Sequence, residues 1–233
     1  MKFFYLYVDL FSILIPLLFS FHPKIGFYKT WKAFIPAIFL VAIVFVLWDR
    51  TFMNLGVWSF NQHYISGLNI IGLPIEEVLF FICIPYSCIF TYYCLDKFFD
   101  FSWNLKAESL FAILFSFCLL LIAFFFRDKL YTLITFISTA CLCLFMKFIC
   151  KINWFGKAVG AYAILLIPFF IVNGLLTGTG IEEPVVRYNN LENLNFRILT
   201  IPIEDFVYGF ELFLLNIFLY NCFRNKENYR RIK

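Results

Sequence analysis

The chain has 233 residues, of which 63% are hydrophobic and 15% charged, with a formal net charge of +4. A soluble domain typically carries about 25% charged residues, so this chain cannot hide its apolar side chains inside one soluble core. The composition excludes an intrinsically disordered chain, which needs low hydrophobicity and high charge. The basic residues are few and scattered, which excludes a nucleic-acid binder of the usual kind. What remains is an all-α polytopic membrane protein, because backbone polar groups in lipid must be paired within their own segment.

Seven stretches approach the length of about 20 helical residues that crosses a bilayer of ~30 Å. They are Phe3–Phe21, Trp31–Trp48, Leu73–Leu95, Ala107–Phe126, Tyr131–Ile149, Ala158–Leu176 and Leu199–Phe223. The first follows Lys2 as a signal peptide would. Asp9 interrupts it and no small-x-small site follows, so it is expected to stay as a membrane helix. The side on which the chain starts carries six basic residues: Lys2, Arg50, Arg127, Lys129, Arg187 and Arg197. The opposite side carries thirteen, Lys226, Arg230, Arg231 and Lys233 among them. By the positive-inside rule the N-terminus is expected outside and the C-terminus in the cytoplasm. Two long loops, Asp49–Gly72 and Thr177–Leu199, lie on the starting side, and long loops in a compact protein tend to carry or cover a site.

An internal repeat organises the chain. Pro74-Ile75-Glu76-Glu77 aligns with Pro202-Ile203-Glu204-Asp205 at an offset of 128, and the first and fifth helices begin at about the same offset. The expected architecture is two three-helix repeats, residues 1–100 and 131–233, joined by a linker helix in 101–130. Three helices plus one linker return the chain to its starting side, so the repeats are parallel, related by an axis along the membrane normal. Both acidic motifs then fall at one depth.

Glu76, Glu77, Glu204 and Asp205 admit two readings. Acidic residues after a proline suit the first turn of a helix, where the macrodipole favours negative charge. Two copies of a double carboxylate at matched depth favour the second reading, proton chemistry, in which one acid and one base share a site. Ionisable groups in apolar spans are functional suspects by default, and Asp9 and Glu211 join the list. Asp49 ends the second span, where a salt bridge to Arg50 is the plainer account; Asn173 holds a comparable place in the sixth. Glu182, Glu183 and Arg187 read as solvated. Phe80, Phe81, Phe206 and Tyr208 follow the acidic motifs. Most Phe in such a chain packs helices or faces lipid, but an aromatic wall beside an acid suits a cationic intermediate.

Other chemistries find little support. The eight Cys form no CxxC pair and only two His are present, so the Cys read as small buried hydrophobes and no metal is expected. No G-x-G-x-x-G occurs, and Thr177-Gly178-Thr179-Gly180 is too short for a nucleotide loop. The seventh span has no Lys for a retinal Schiff base. Asp96 and Asp100 have D-x-x-x-D spacing in a single copy beside Lys97, read as a solvated loop. Gly156-x-x-x-Gly160 reads as a helix-packing motif.

At the paired motifs the chain resembles the small integral-membrane lycopene β-cyclases of archaea, bacteria and fungi. Trp48-Asp49, Gly56-Val57-Trp58, Glu183-Pro184 and the run Phe206, Tyr208, Gly209 extend the likeness, which spans nearly the whole chain. The resemblance implies an isomerase: a carboxylic acid protonates C2 of a ψ-end of lycopene, the cation closes a ring, and a base removes the C6 proton. It implies catalysis by Glu76, Glu77, Glu204 and Asp205, with acid and base not distinguished, and substrate contact by Asp49, Phe80, Phe81, Phe206 and Tyr208. No cofactor is expected, because the net chemistry is redox-neutral. The partners implied are lycopene or a related acyclic carotenoid, the lipid bilayer and neighbouring carotenoid-pathway enzymes. With ten residues after Phe223, no fused phytoene synthase is expected. A carotenoid 1,2-hydratase, in which water traps the same cation, and a non-enzymatic carotenoid-binding or transport protein stay as alternatives.

Overall fold

The computed structural model describes residues 2–100 and 102–232, with side chains described through Arg224. Lys226, Arg230, Arg231 and Lys233, counted above for orientation, lie outside the described side chains. Seven α-helices form the body: α1 (Phe4–Phe19), α2 (Trp31–Asn54), α3 (Ile75–Phe98), α4 (Leu105–Phe125), α5 (Leu130–Leu144), α6 (Phe155–Thr177) and α7 (Ile203–Ile232). Six helical segments are long and apolar enough to cross a membrane; α1, with 16 residues, is apolar but shorter. A 3₁₀ turn, Phe27–Thr30, leads into α2, and a π-helical turn, Phe145–Ile149, extends α5.

The helices pack chiefly as α1 on α3, α4 on α5, α2 on α7 and α5 on α7. The largest apolar core joins Phe27, Phe34 and Tyr86 to Phe210, Phe213 and Tyr220. At one end of α4, Glu108 is buried and takes an ion pair from Lys147 and a hydrogen bond from the Gly156 amide at 2.9 Å. A buried charge needs such partners, since leaving one unpaired costs several kcal/mol. Gly156 must stay glycine for a different reason: an added Cβ would lie 2.5 Å from the Trp103 ring.

Asp49 lies inside α2, because that helix runs six residues past Trp48. The long loops also carry short strands that apolar periodicity does not signal. β1 (Trp58–Phe60) pairs antiparallel with β4 (Val186–Tyr188), with Ser59 opposite Arg187 at the centre. β2 (Asn69–Ile70) and β3 (Leu73–Pro74) make one tight hairpin; β5 (Arg197–Ile198) and β6 (Ile201–Pro202) make another. The first turns on Ile71 and Gly72, both at positive φ, 48° and 88°. That combination belongs to a type I′ turn, whose second position suits glycine. Each hairpin feeds straight into a long helix, α3 or α7, and so fixes where that helix starts.

Candidate active site

The first turns of α3 and α7 hold the two acidic pairs. Adjacent residues on a helix point about 100° apart, so within each pair one carboxyl faces the bundle interior and the other faces the loop. The loop-facing members are Glu76 and Glu204. Glu76 Oε1 accepts the Ser66 amide at 2.6 Å. Glu204 Oε1 accepts the Leu194 amide at 2.7 Å and the Thr132 hydroxyl at 2.6 Å. Both are fully buried, and neither lines the central cavity. They anchor the two long loops over the helix ends.

The inward members, Glu77 and Asp205, line one cavity of about 620 Å³ together with Asp49. Tyr5 donates to Glu77 Oε2 at 2.7 Å, and Tyr208 donates to Asp49 Oδ1 at 2.7 Å. Asp49 and Glu77 are close neighbours in this network. Two buried carboxyls placed together favour a state in which one of them keeps its proton. Asp205 is held differently. It accepts from Tyr131 at 2.7 Å, from Asn173 at 2.8 Å and from Tyr188 at 2.9 Å. Its neighbours are all donors, so it stands in the network as an acceptor. Tyr188, in the β4 strand, is held well above the ordinary tyrosine range by burial and by the neighbouring Asp205, which keeps its proton in place for this bond.

Aromatic rings wall this end. Tyr131 stacks on Tyr188 with centroids 5.9 Å apart and planes 13° apart, and Trp58 meets Tyr131 edge-on at 5.2 Å. Tyr208 and Phe80 complete the lining. Phe81 lies outside it, packed on Phe45 at 5.8 Å, and Phe206 sits between Phe169 and Phe170 at 4.9 and 5.3 Å. Asp49 makes no salt bridge with Arg50 among the described residues. Glu211 is bound by Ser138 and Thr139, each at 2.8 Å, away from the cavity. Asp9 is fully buried, and neither of its carboxyl oxygens has a hydrogen-bond partner. Glu183 is exposed and pairs with Arg187.

The hydrogen-bond partners Tyr5, Tyr131 and Tyr188 were not singled out from sequence; Asn173 was noted only for its place comparable to Asp49, and Trp58 only as part of the family likeness. The available signal was the repeat itself. Tyr5 and Tyr131 open α1 and α5, and they bind Glu77 and Asp205, which stand 128 residues apart.

Deeper along the bundle, Pro16 of α1, Pro85 of α3 and Pro168 of α6 all line the same cavity. Proline lacks the amide that would bond the carbonyl four residues back and bends its helix there. For Pro16 that carbonyl belongs to Ser12, and the Ser87 hydroxyl of α3 takes it at 2.8 Å. The open carbonyl is thus satisfied from a neighbouring helix, as lipid surroundings demand.

Six long apolar helical segments are consistent with a multi-pass membrane protein, and the helices surround an apolar cavity with carboxyls at one end. The chain belongs to the lycopene cyclase family, whose model matches residues 2–95 and 128–223. Over 74 residues it is 35% identical to the bifunctional lycopene cyclase/phytoene synthase of Leptosphaeria maculans. That match covers 32% of this chain and spans only 12% of the fungal protein's length. No solved structure matches it.

Proposed function

We propose that this protein is a lycopene β-cyclase, an isomerase that converts acyclic ψ-ends of lycopene into β-rings. One observation carries the reading: two neighbouring buried carboxyls, Asp49 and Glu77, and a donor-surrounded one, Asp205, line the same apolar cavity. The pair is the acid. It delivers a proton to C2 of the end group, leaving a cation at C1. The C5–C6 double bond attacks C1, forming the C1–C6 bond and moving the cation to C5. Asp205 removes the C6 proton, the C5–C6 double bond re-forms, and substrate and product have the same atoms.

The cation needs a dry site, because water would trap it as an alcohol. Trp58, Tyr131, Tyr188 and Tyr208 supply both the apolar wall and ring faces that attract positive charge, worth ~2 kcal/mol or more when desolvated. No step calls for a metal, flavin or nicotinamide.

On this reading the chain is two parallel repeats in residues 1–100 and 131–233, joined through 101–130, and α1 completes seven spans with the N-terminus outside. Several contacts support it. The strands of the first loop recur 128 residues later in the second, and the central pair Ser59 and Arg187 have that spacing. Ser66 to Glu76 and Leu194 to Glu204 are matching bonds at the same offset. The equivalence breaks at several positions that touch the carboxyls: Tyr188 and Tyr208 stand where the first half has Phe60 and Phe80, and Asp49 and Asn173 hold comparable places in α2 and α6, 124 residues apart. Glu77 meets a carboxyl, Asp49, where Asp205 meets an amide, Asn173. That difference is what assigns acid to the first half and base to the second.

The test is expression in a bacterium that accumulates lycopene, followed by pigment analysis. The expected product is γ- or β-carotene. Unchanged lycopene overturns the reading, and a hydroxylated acyclic product replaces it with a hydratase.

A further inference from the structure

The cavity continues far beyond the carboxyls. It is lined along α7 from Asp205 to Asn216 and along α3 from Glu77 to Thr91. At about 1.5 Å of rise per residue, these runs give a depth of ~16–21 Å, roughly half an extended acyclic carotenoid. The wall is open on one side. Phe11 and Ile15 of α1 and Ile171 of α6 line the cavity while being 70%, 64% and 62% exposed. Pro168 of α6 also lines it and is exposed. A residue that borders both the cavity and the outer surface of an apolar helix marks an opening toward lipid. α1 and α6 both pack on α3 and meet each other over only a short stretch, and each of the three helices places a proline on the cavity wall, where it cannot supply the amide that a continuous helix would.

We infer that the α1–α6 seam is a lateral doorway through which one end of an acyclic carotenoid slides from the bilayer to the carboxyls, while its other half stays in lipid. The identity of the substrate rests on the cyclase reading; the doorway itself does not require the chemistry. One consequence follows for specificity. The protein reads one ψ-end and the adjoining half of the polyene, and it leaves the distal end unread.

The full chain is reconstituted in vesicles and mixed with vesicles loaded with lycopene. Polyene arrival is followed by quenching of tryptophan fluorescence, since Trp58 lines the cavity, and ring formation is read from pigments in the same sample. The doorway variant is Ile15→Phe with Ile171→Phe. The control carries Ile113→Phe with Leu114→Phe, on lipid-facing α4 positions away from the cavity. The doorway variant is expected to slow quenching by about tenfold or more, as for a gated step, with the control unchanged. Carotenoids with one ψ-end and either a ring or a hydroxyl at the other end are expected to turn over within about threefold of lycopene, because contacts outside the pocket contribute no discrimination. Parental quenching in the doorway variant overturns the doorway, whether or not rings form. Rejection of distal-end variants overturns the single-end site. Seam-dependent quenching with no ring product leaves the doorway standing and removes the cyclase reading.

Discussion

The hydroxyl of Tyr208 in α7 donates to Oδ1 of Asp49 in α2 at 2.7 Å, joining residues 159 positions apart. This contact ties the helix that carries Asp205 to the carboxyl pair opposite it. The position 128 residues earlier is Phe80, which also lines the cavity but has no hydroxyl to offer. Tyr208→Phe removes one hydrogen bond to the acid pair and keeps the ring. A bond to such a group contributes about 1.5–3 kcal/mol, so cyclisation is expected to slow by roughly 10- to 100-fold. The fall should be in kcat with KM little changed, measured on reconstituted protein.

On the proposed mechanism Asp49 and Glu77 supply the proton, and Asp49→Asn and Glu77→Gln each keep the shape of the pair but remove one carboxyl from it. General acid catalysis contributes on the order of 10²–10⁴-fold. Each variant should lose ring formation by that factor at equal protein level, as should Asp205→Asn for loss of the base. Asn173→Asp would place a second carboxyl beside Asp205 and is expected to impair the base.

Glu76 and Glu204 are expected to fail differently. Glu76→Ala leaves the half-buried Ser66 amide without its acceptor, and Glu204→Ala strands the half-buried Leu194 amide and the buried Thr132 hydroxyl. Each lost acceptor costs about 1–3 kcal/mol. Thermal unfolding in detergent should drop for both, and the protein that remains folded should keep more activity than Glu77→Gln.

Ser87 and Pro16 form a matched pair. Ser87→Ala leaves the Ser12 carbonyl without this partner between two apolar helices, a loss of about 1–3 kcal/mol. Pro16→Ala restores a backbone amide to that carbonyl. The double variant should therefore be more stable than Ser87→Ala alone, a non-additivity that a double-mutant cycle measures.

Glu183 gives the loop end a pH dependence. Hydrogen bonds from Asn61 and then Arg187 hold its carboxyl below the ordinary glutamate range. A lowered folded-state value means stabilisation present above the unfolded value and lost as pH falls through the folded one. Protection of the β1–β4 amides from hydrogen exchange should weaken below about pH 4. Glu183→Gln should flatten that dependence.

The membrane class, most helix positions and the family were legible in the sequence because apolar length and a duplicated motif are strong signals. The strands were not: two- and three-residue ladders carry no periodicity. Nor could Glu76 be told from Glu77, since neighbouring positions on a helix differ only in facing, and facing depends on how the hairpin enters α3. Tyr5 and Tyr131 look like any aromatic in an apolar run until a carboxyl is found opposite. Asp49 reads as a helix-end charge beside Arg50, and only packing of α2 against α7 turns it inward to Tyr208.

An antiparallel ladder in which Ser59 faces Arg187 at a spacing of 128 is self-complementary on the two-repeat reading: the same edge would join two copies of a single half. A symmetric pair of such halves would be bound to carry identical residues on both sides of the cavity, two acid pairs or two amide-held carboxylates. Placing both halves in one chain lifts that obligation. One side can keep a carboxyl at Asp49 while the other has Asn173, and on the proposed mechanism proton donor and proton acceptor become separate positions.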